Sequence, residues 1–140
     1  MTKLSFIRPA FALLLSLGAA GVMAATQTVN VTIEGPGGHS NGNYGNVNAL
    51  HAAARSIMEI EKSVPDAVVT AINGGNSVNS IASDTKFRVM LSGEPAELKA
   101  KAEKVQKAVA DGCTAENNFR GVKAGDKKNG VAADIRWTVK

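Results

Sequence analysis

Apolar residues in this chain recur at every second position in some stretches and at every third or fourth in others. The order in which the two periods alternate is what most constrains the fold. Val29, Val31 and Ile33 alternate with Thr28, Asn30, Thr32 and Glu34, the pattern of a strand with one buried face. Val47, Leu50, Ala54, Ile57 and Ile60 then fit a helix that Asn46 is placed to cap and that must stop before Pro65. Asp66 to Ile72 is β-branched and apolar, a second strand, and Phe87, Val89 and Leu91 alternate with Lys86 and Arg88 in a third. Glu94-Pro95 opens a second helix, whose apolar face is Leu98, Ala102, Val105, Val109 and Cys113. Glu97 with Lys101 and Glu103 with Lys107 are spaced to pair on its wet side. Residues 114–130 read as a loop ending in the turn signal Asn129-Gly130. Val131, Ala133, Ile135, Trp137 and Val139 form the inward side of a last strand, with Trp137 towards the core. Strand-helix-strand-strand-helix-strand with right-handed crossovers predicts an α+β, ferredoxin-like two-layer sandwich: a four-stranded antiparallel sheet with two helices on one face.

Ahead of this pattern, Lys3 and Arg8 precede an apolar run, Ala10 to Met23, that ends in the small-x-small site Val22-Met23-Ala24. The run is shorter than the roughly 20 apolar residues that span a bilayer, so residues 1–24 read as a secretory signal peptide rather than an anchor. No Cys lies near the site, which argues against a lipoprotein. The expected mature chain, residues 25–140, is one domain in a secreted or periplasmic setting. Sixteen basic against twelve acidic residues give +4. Loss of Lys3 and Arg8 leaves fourteen against twelve, a charge too small to suggest nucleic acid or an anionic membrane as partner. Two His and one Cys exclude a disulfide framework and a multi-ligand metal cluster. Cys113 reads as a buried, inert thiol, the alternatives being an intermolecular bridge or a reactive group.

Because such a fold hosts many functions, chemistry has to be sought in the loops. Gly35-Pro36-Gly37-Gly38-His39-Ser40 follows the first strand, and Asn73-Gly74-Gly75-Asn76-Ser77-Val78-Asn79 follows the second. Glycines there allow close approach of backbone to a ligand, while His39 and Asn79 supply donors and acceptors. Neither loop is a phosphate loop: Ser40 stands where a dinucleotide fingerprint needs Gly, and no Gly-Lys-Ser/Thr run exists. Tight connection and ligand binding both account for the glycines.

Taken together, the strand Val29 to Glu34, Gly-x-x-Gly-His-Ser at 35–40, Gly45-x-x-Asn48-Ala49, Gly74-Gly75-x-Ser77-Val78-Asn79-x-Ile81 and the Phe87-Arg88-Val89 strand resemble the dimerisation, or lid, domain of the zinc-dependent aminoacylase and carboxypeptidase G metallopeptidase family. The resemblance spans most of residues 29–140, and this chain departs from it at Ala82, where the family usually carries Pro. It implies a ferredoxin-like lid that pairs with a second lid. By the same resemblance, His39 would hydrogen-bond a substrate carbonyl and Asn79 would help hold the ligand, with Gly38, Ser40, Gly74 and Gly75 around them. Pairing is expected at the second strand, Val68, Val69, Thr70 and Ala71, which has no charge inside it to guard a sheet edge, together with the helix beside it.

The family's catalytic zinc domain has no counterpart here. A two-metal hydrolase of that kind needs about five His, Asp or Glu ligands. His39 and His51 are the only imidazoles, and His51 reads as a partly exposed helix residue. No cofactor, metal or catalytic residue is expected. The leading expectation is a secreted, non-catalytic, homodimeric module that binds peptides, N-acyl amino acids or a secreted metallopeptidase. A ligand-free assembly domain is the second reading, and a self-sufficient hydrolase, for which no Ser-His-acid spacing exists, is the least supported.

Overall fold

The computed structural model describes residues 24–140, so the signal peptide expected over residues 1–24 lies, but for Ala24, outside them. The elements are β1 (Ala25–Glu34), β2 (Gly38–His39), α1 (Ala49–Ser63), β3 (Val68–Gly74), β4 (Ser80–Ile81), β5 (Asp84–Gly93), α2 (Pro95–Phe119), β6 (Lys127–Lys128), β7 (Val131–Ala132) and β8 (Arg136–Val139). Four strands form one antiparallel sheet in the order β3-β5-β1-β8. With the two-residue ladders set aside, this is the expected ferredoxin-like sandwich, the first and third long strands central and both helices packed on one face. That face is legible from the register. Val29 pairs with Val89, Val31 with Phe87 and Ile33 with Thr85, and all six are buried. Between them Thr28, Asn30, Arg88 and Lys86 point to the uncovered side and stay exposed.

Helix α1 starts later than expected, and with a different face inward. Asn48, not Asn46, is its N-cap, the side-chain oxygen accepting from the N–H of Leu50 at 2.9 Å and of His51 at 3.2 Å. Val47 precedes the cap and is fully buried, while Asn46 is used in the loop, its amide donating to Gly37 O at 2.8 Å. The buried residues of α1 are Ala49, Ala52, Ala53, Ser56 and Ile60. Leu50 and Ile57 are only half covered and Ala54 is exposed. Small residues take the inner face because α2 presses against it at Gly112, where an added Cβ would stand 2.5 Å from Ser56 Cα.

Helix α2 begins as its sequence indicates, with Pro95 in the first turn and a capping box in which Glu97 accepts from the Glu94 N–H. It continues to Phe119, well into the stretch expected as loop, because buried Glu116 and Asn117 extend the inner stripe past Cys113. Both are polar, so hydropathy hides them. Asn117 Oδ1 accepts from Ile135 N–H at 2.8 Å and Glu116 is gripped by two arginines. The expected i,i+4 pairs are not the ones formed. Lys101 bonds Asp66 and Ser92 O, and Lys107 bonds Asp111. The Lys101 hydrogen bond holds the Asp66 carboxyl below its usual 3.8.

The last strand is shorter than predicted, covering Arg136–Val139, because Val131–Ala132 folds back on Lys127–Lys128. Asn129 and Gly130 connect that hairpin with φ of 53° and 80°, as an Asn-Gly turn requires. Trp137 lies opposite core-facing Ile33, so the expected side is correct, but at the sheet margin its ring stays 37% exposed.

Cys113 is fully buried, and burial, partly opposed by a hydrogen bond with Ser56, pushes its thiol up to about 12 from 9.0. Raising the folded-state value of this acid stabilises the fold below pH about 9, and the contribution is lost as pH climbs towards about 12. The thiol should therefore resist alkylation at pH 8 in the native protein and react once denaturant opens the core. Rapid labelling of the folded chain would contradict this burial.

Candidate functional site

Both glycine loops leave the same end of the sheet, and one short ladder, β2 with β4, stitches them together. Gly38 pairs with Ile81 and His39 with Ser80. The Ser40 N–H donates to Asn79 O at 2.9 Å, and the Gly35 N–H to Ser83 O at 2.8 Å. Glycine is required at position 38, where φ is +130° and a Cβ would lie 2.7 Å from the Asn43 side chain. A side chain at Gly74 would run into Thr85 on β5. The loops are thus held by main-chain hydrogen bonds and close approaches, with the Asn43 and Asn46 amides bonded to the His39 and Gly37 carbonyls.

The two residues singled out from the sequence, 40 positions apart, are in contact: His39 Nε2 and Asn79 Nδ2 are 3.1 Å apart. The protons can be assigned by elimination. The Asn41 N–H lies 3.2 Å from His39 Nδ1 and can only donate, so Nδ1 is an acceptor. In the neutral ring the proton then sits on Nε2, which needs an acceptor opposite it. The Asn79 amide satisfies this when its oxygen faces the ring, and its nitrogen then donates to Ser77 Oγ, 2.9 Å away in that position. In this state the Nε2 proton is spent on Asn79, and what the pair offers outward is the second N–H of the Asn79 amide, with the imidazole N–H open only to an acceptor that displaces the Asn79 oxygen.

These groups line a recess of about 690 Å³ together with Gly38, Gly74, Gly75 and Asp84. Its size suits a small ligand. Ser40 is not part of the wall, since its backbone N–H is spent on the ladder. Asp84 is the one charged residue lining it, and no lysine or arginine does so. A ligand amide, which carries both a carbonyl and an N–H, therefore finds partners here more readily than a carboxylate.

Behind the recess, the start of α1 is tied to the far end of α2. Glu116, with no exposed side-chain surface, accepts from Arg55 Nε at 3.1 Å, Arg120 Nε at 3.2 Å and the Asn48 N–H at 3.1 Å. The Phe119 ring centre lies 5.0 Å from each of the two guanidinium carbons. No sequence period pointed to this network, because a buried carboxylate is recognised only by its partners. Ala82, at the departure from the family pattern, is buried, and its carbonyl accepts from Ala49 N–H at 3.0 Å. His51 is exposed on α1 near Arg120. Among the described residues, no group of three or more His, Cys, Asp or Glu is placed to hold a metal ion.

Of the residues expected at a subunit contact, Val68 is half exposed and Val69 faces inward opposite Val89. A bulge between Val69 and Ala71 puts Thr70 out of register, and Ile72 beyond it is 50% exposed. Strand β3 is an edge of the sheet.

Several solved structures share this architecture. An aminobenzoyl-glutamate utilization protein from Klebsiella pneumoniae superposes with a TM-score of 0.66 at 21% identity over 84% of this chain and 28% of its own. An amidase of the hydantoinase/carbamoylase family from Burkholderia ambifaria gives 0.60 at 21% identity, covering 84% and 27%. The aminopeptidase PepT from Bacillus cereus gives 0.62 at 15% identity, covering 84% and 29%. At these identities the likeness carries the fold, and the chain spans under a third of each neighbour's length. No curated protein sequence matches the chain. The model of the peptidase dimerisation domain matches residues 26–117, most of the sandwich. This chain therefore belongs to the peptidase dimerisation domain family.

Proposed function

We propose that the chain is a non-catalytic, homodimeric binding module that recognises the amide unit of a peptide or N-acyl amino acid in the recess at His39 and Asn79. The observation that carries this reading is the contact between those two side chains over an open recess without a cation. A ligand carbonyl would displace the Asn79 oxygen to accept the Nε2 proton of His39, and the free N–H of the Asn79 amide would donate to a second oxygen. Asp84 would accept from a ligand N–H. Support also comes from one similar structure, since aminobenzoyl-glutamate is itself an N-acyl amino acid.

Thermal-shift and calorimetric screening with short peptides and N-acyl amino acids tests this, since a binder of the folded state raises apparent stability. His39→Ala and Asn79→Ala should each weaken the binder found by about two- to tenfold, the effect of losing one hydrogen bond, while folding is retained. Unchanged affinity in both variants would favour a ligand-free assembly domain, and turnover abolished by a chelator would overturn the non-catalytic reading.

Pairing is assigned to β3 and the adjoining flank of α1. The edge carries no charge, Val68 and Ile72 are half exposed, and Met58 on the helix is 58% exposed. Light scattering should give a dimer mass at tens of micromolar. Val68→Lys with Ile72→Lys should shift it towards monomer, and a wild-type monomer would refute the assignment. A lysine at Val69 is a poorer probe, because that side chain packs against the core, whereas Ile72, opposite Phe87, stays half exposed. Export as a secreted or periplasmic protein, with a secreted metallopeptidase as an alternative partner, completes the proposal. The mass of the mature N-terminus, expected at Ala25, tests the export.

A further inference from the structure

The uncovered face of the sheet carries a second depression, of about 440 Å³, whose chemistry is opposite to that of the recess. Register places its side chains in two rows across three strands. Ala71, Arg88 and Asn30 are aligned in one, and Asn73, Lys86 and Thr32 in the next. Residues two apart on a strand project to the same face about 7 Å from each other. The guanidinium and ammonium stems of Arg88 and Lys86 therefore rise side by side from β5. Amides of Asn30 and Asn73 and the Thr32 hydroxyl flank them, and the small Ala71 leaves the floor low.

Neither cation makes an ion pair among the described residues. No side-chain carboxylate stands in the two rows, and Lys140, whose main chain pairs with Asn30, extends the first of them. The nearest acidic residues by register, Glu34 and Asp84, face each other in the following row, with Arg136 beside Glu34. Any anion is thereby confined to the Arg88 and Lys86 rows.

We propose that this basin, which adjoins the His39 recess at their shared residue Asn73, is an oxyanion site for a small ligand bearing carboxylate or phosphate groups. Arg88 supplies a planar fork and Lys86 a point charge, while the two amides and the hydroxyl donate to the remaining oxygen lone pairs. Two carboxylates about 7 Å apart would engage both cations at once, whereas a single phosphate would draw both side chains together. The face stays open when β3 pairs at its edge, because edge pairing uses main-chain groups in the plane of the sheet.

Calorimetric titration of the protein at low ionic strength, with pimelate in one arm and inorganic phosphate in the other, tests the proposal. Saturable binding is expected in at least one arm, and the stronger arm identifies the source of the oxyanion. Lys86→Gln with Arg88→Gln should weaken it at least tenfold without altering the circular dichroism spectrum. Lys99→Gln with Lys127→Gln, which removes the same charge from distant exposed positions, should leave it within twofold. His39→Ala should also leave it unchanged, so the outcome is independent of the recess reading. Absence of saturable binding in both arms, or an equal loss in the Lys99 and Lys127 variant, would overturn the site.

Discussion

Glu116→Ala is expected to lower the unfolding free energy by about 3 kcal/mol, the lower end of the range for removing one partner of a buried ion pair. The carboxylate is completely enclosed, and its loss strands three donors at once: the Nε groups of Arg55 and Arg120 and the Asn48 N–H. Arg55 is 36% and Arg120 20% exposed along the side chain, so both can turn partly to water, which keeps the cost from the top of that range. The main-chain N–H at Asn48 has no such escape. Glu116→Gln keeps an acceptor for that N–H and should cost roughly half as much. Urea unfolding measures both, and a Glu116→Ala loss under about 1 kcal/mol would show that the network is not the clamp between α1 and α2 described here. The consequence reaches the recess, because Asn48 caps the helix that ends the His39 loop.

Gly112→Val should be more damaging, leaving the chain unfolded or destabilised beyond about 4 kcal/mol. Gly112→Ala supplies the sharper test because two effects of opposite sign compete. Alanine gains about 1 kcal/mol over glycine in a helix interior. Against this, its Cβ would meet Ser56 Cα and Oγ at 2.5 Å, and overpacking of a tight core costs about 3 kcal/mol when it cannot be relieved. The obstacle includes backbone, so no rotamer change removes it and the helices must part. A net loss of about 2 kcal/mol is expected, and a stabilised Gly112→Ala variant would mean that the helices are not in backbone contact.

Much of the architecture was legible without coordinates because it rests on local rules. The alternation in Val29–Ile33 and in Phe87–Leu91, the helical stripe Leu98 to Cys113, Pro95 at a first turn and the turn at Asn129-Gly130 each depend on neighbours close along the chain. Those readings held, and so did the element order that follows from them. The readings that changed depended on distant residues. Periodicity favoured Leu50, Ala54 and Ile57 as the inner face of α1. Gly112 on another helix instead admits Ala52, Ala53 and Ser56, and leaves the larger Leu50 and Ile57 only partly buried at the margin of the core. Glu116 and Asn117 looked like loop residues because polarity is read as exposure unless a partner is known, and apart from Arg120 their partners are 18 to 68 positions away.

The candidate site divides in the same way. Its residue types were present in two glycine loops, and the resemblance to lid domains marked His39 and Asn79 among them. That they touch, that Ser40 is withdrawn into a ladder, and that Asp84 and no cation joins them are facts of tertiary structure. The sequence by itself determined the elements, their order and the loops able to approach a ligand, since these follow from side-chain period and backbone freedom. Only the folded molecule decided which helix face is buried, which polar groups satisfy one another and where the cations Lys86 and Arg88 stand, because each depends on close packing and strand register between segments remote in the chain.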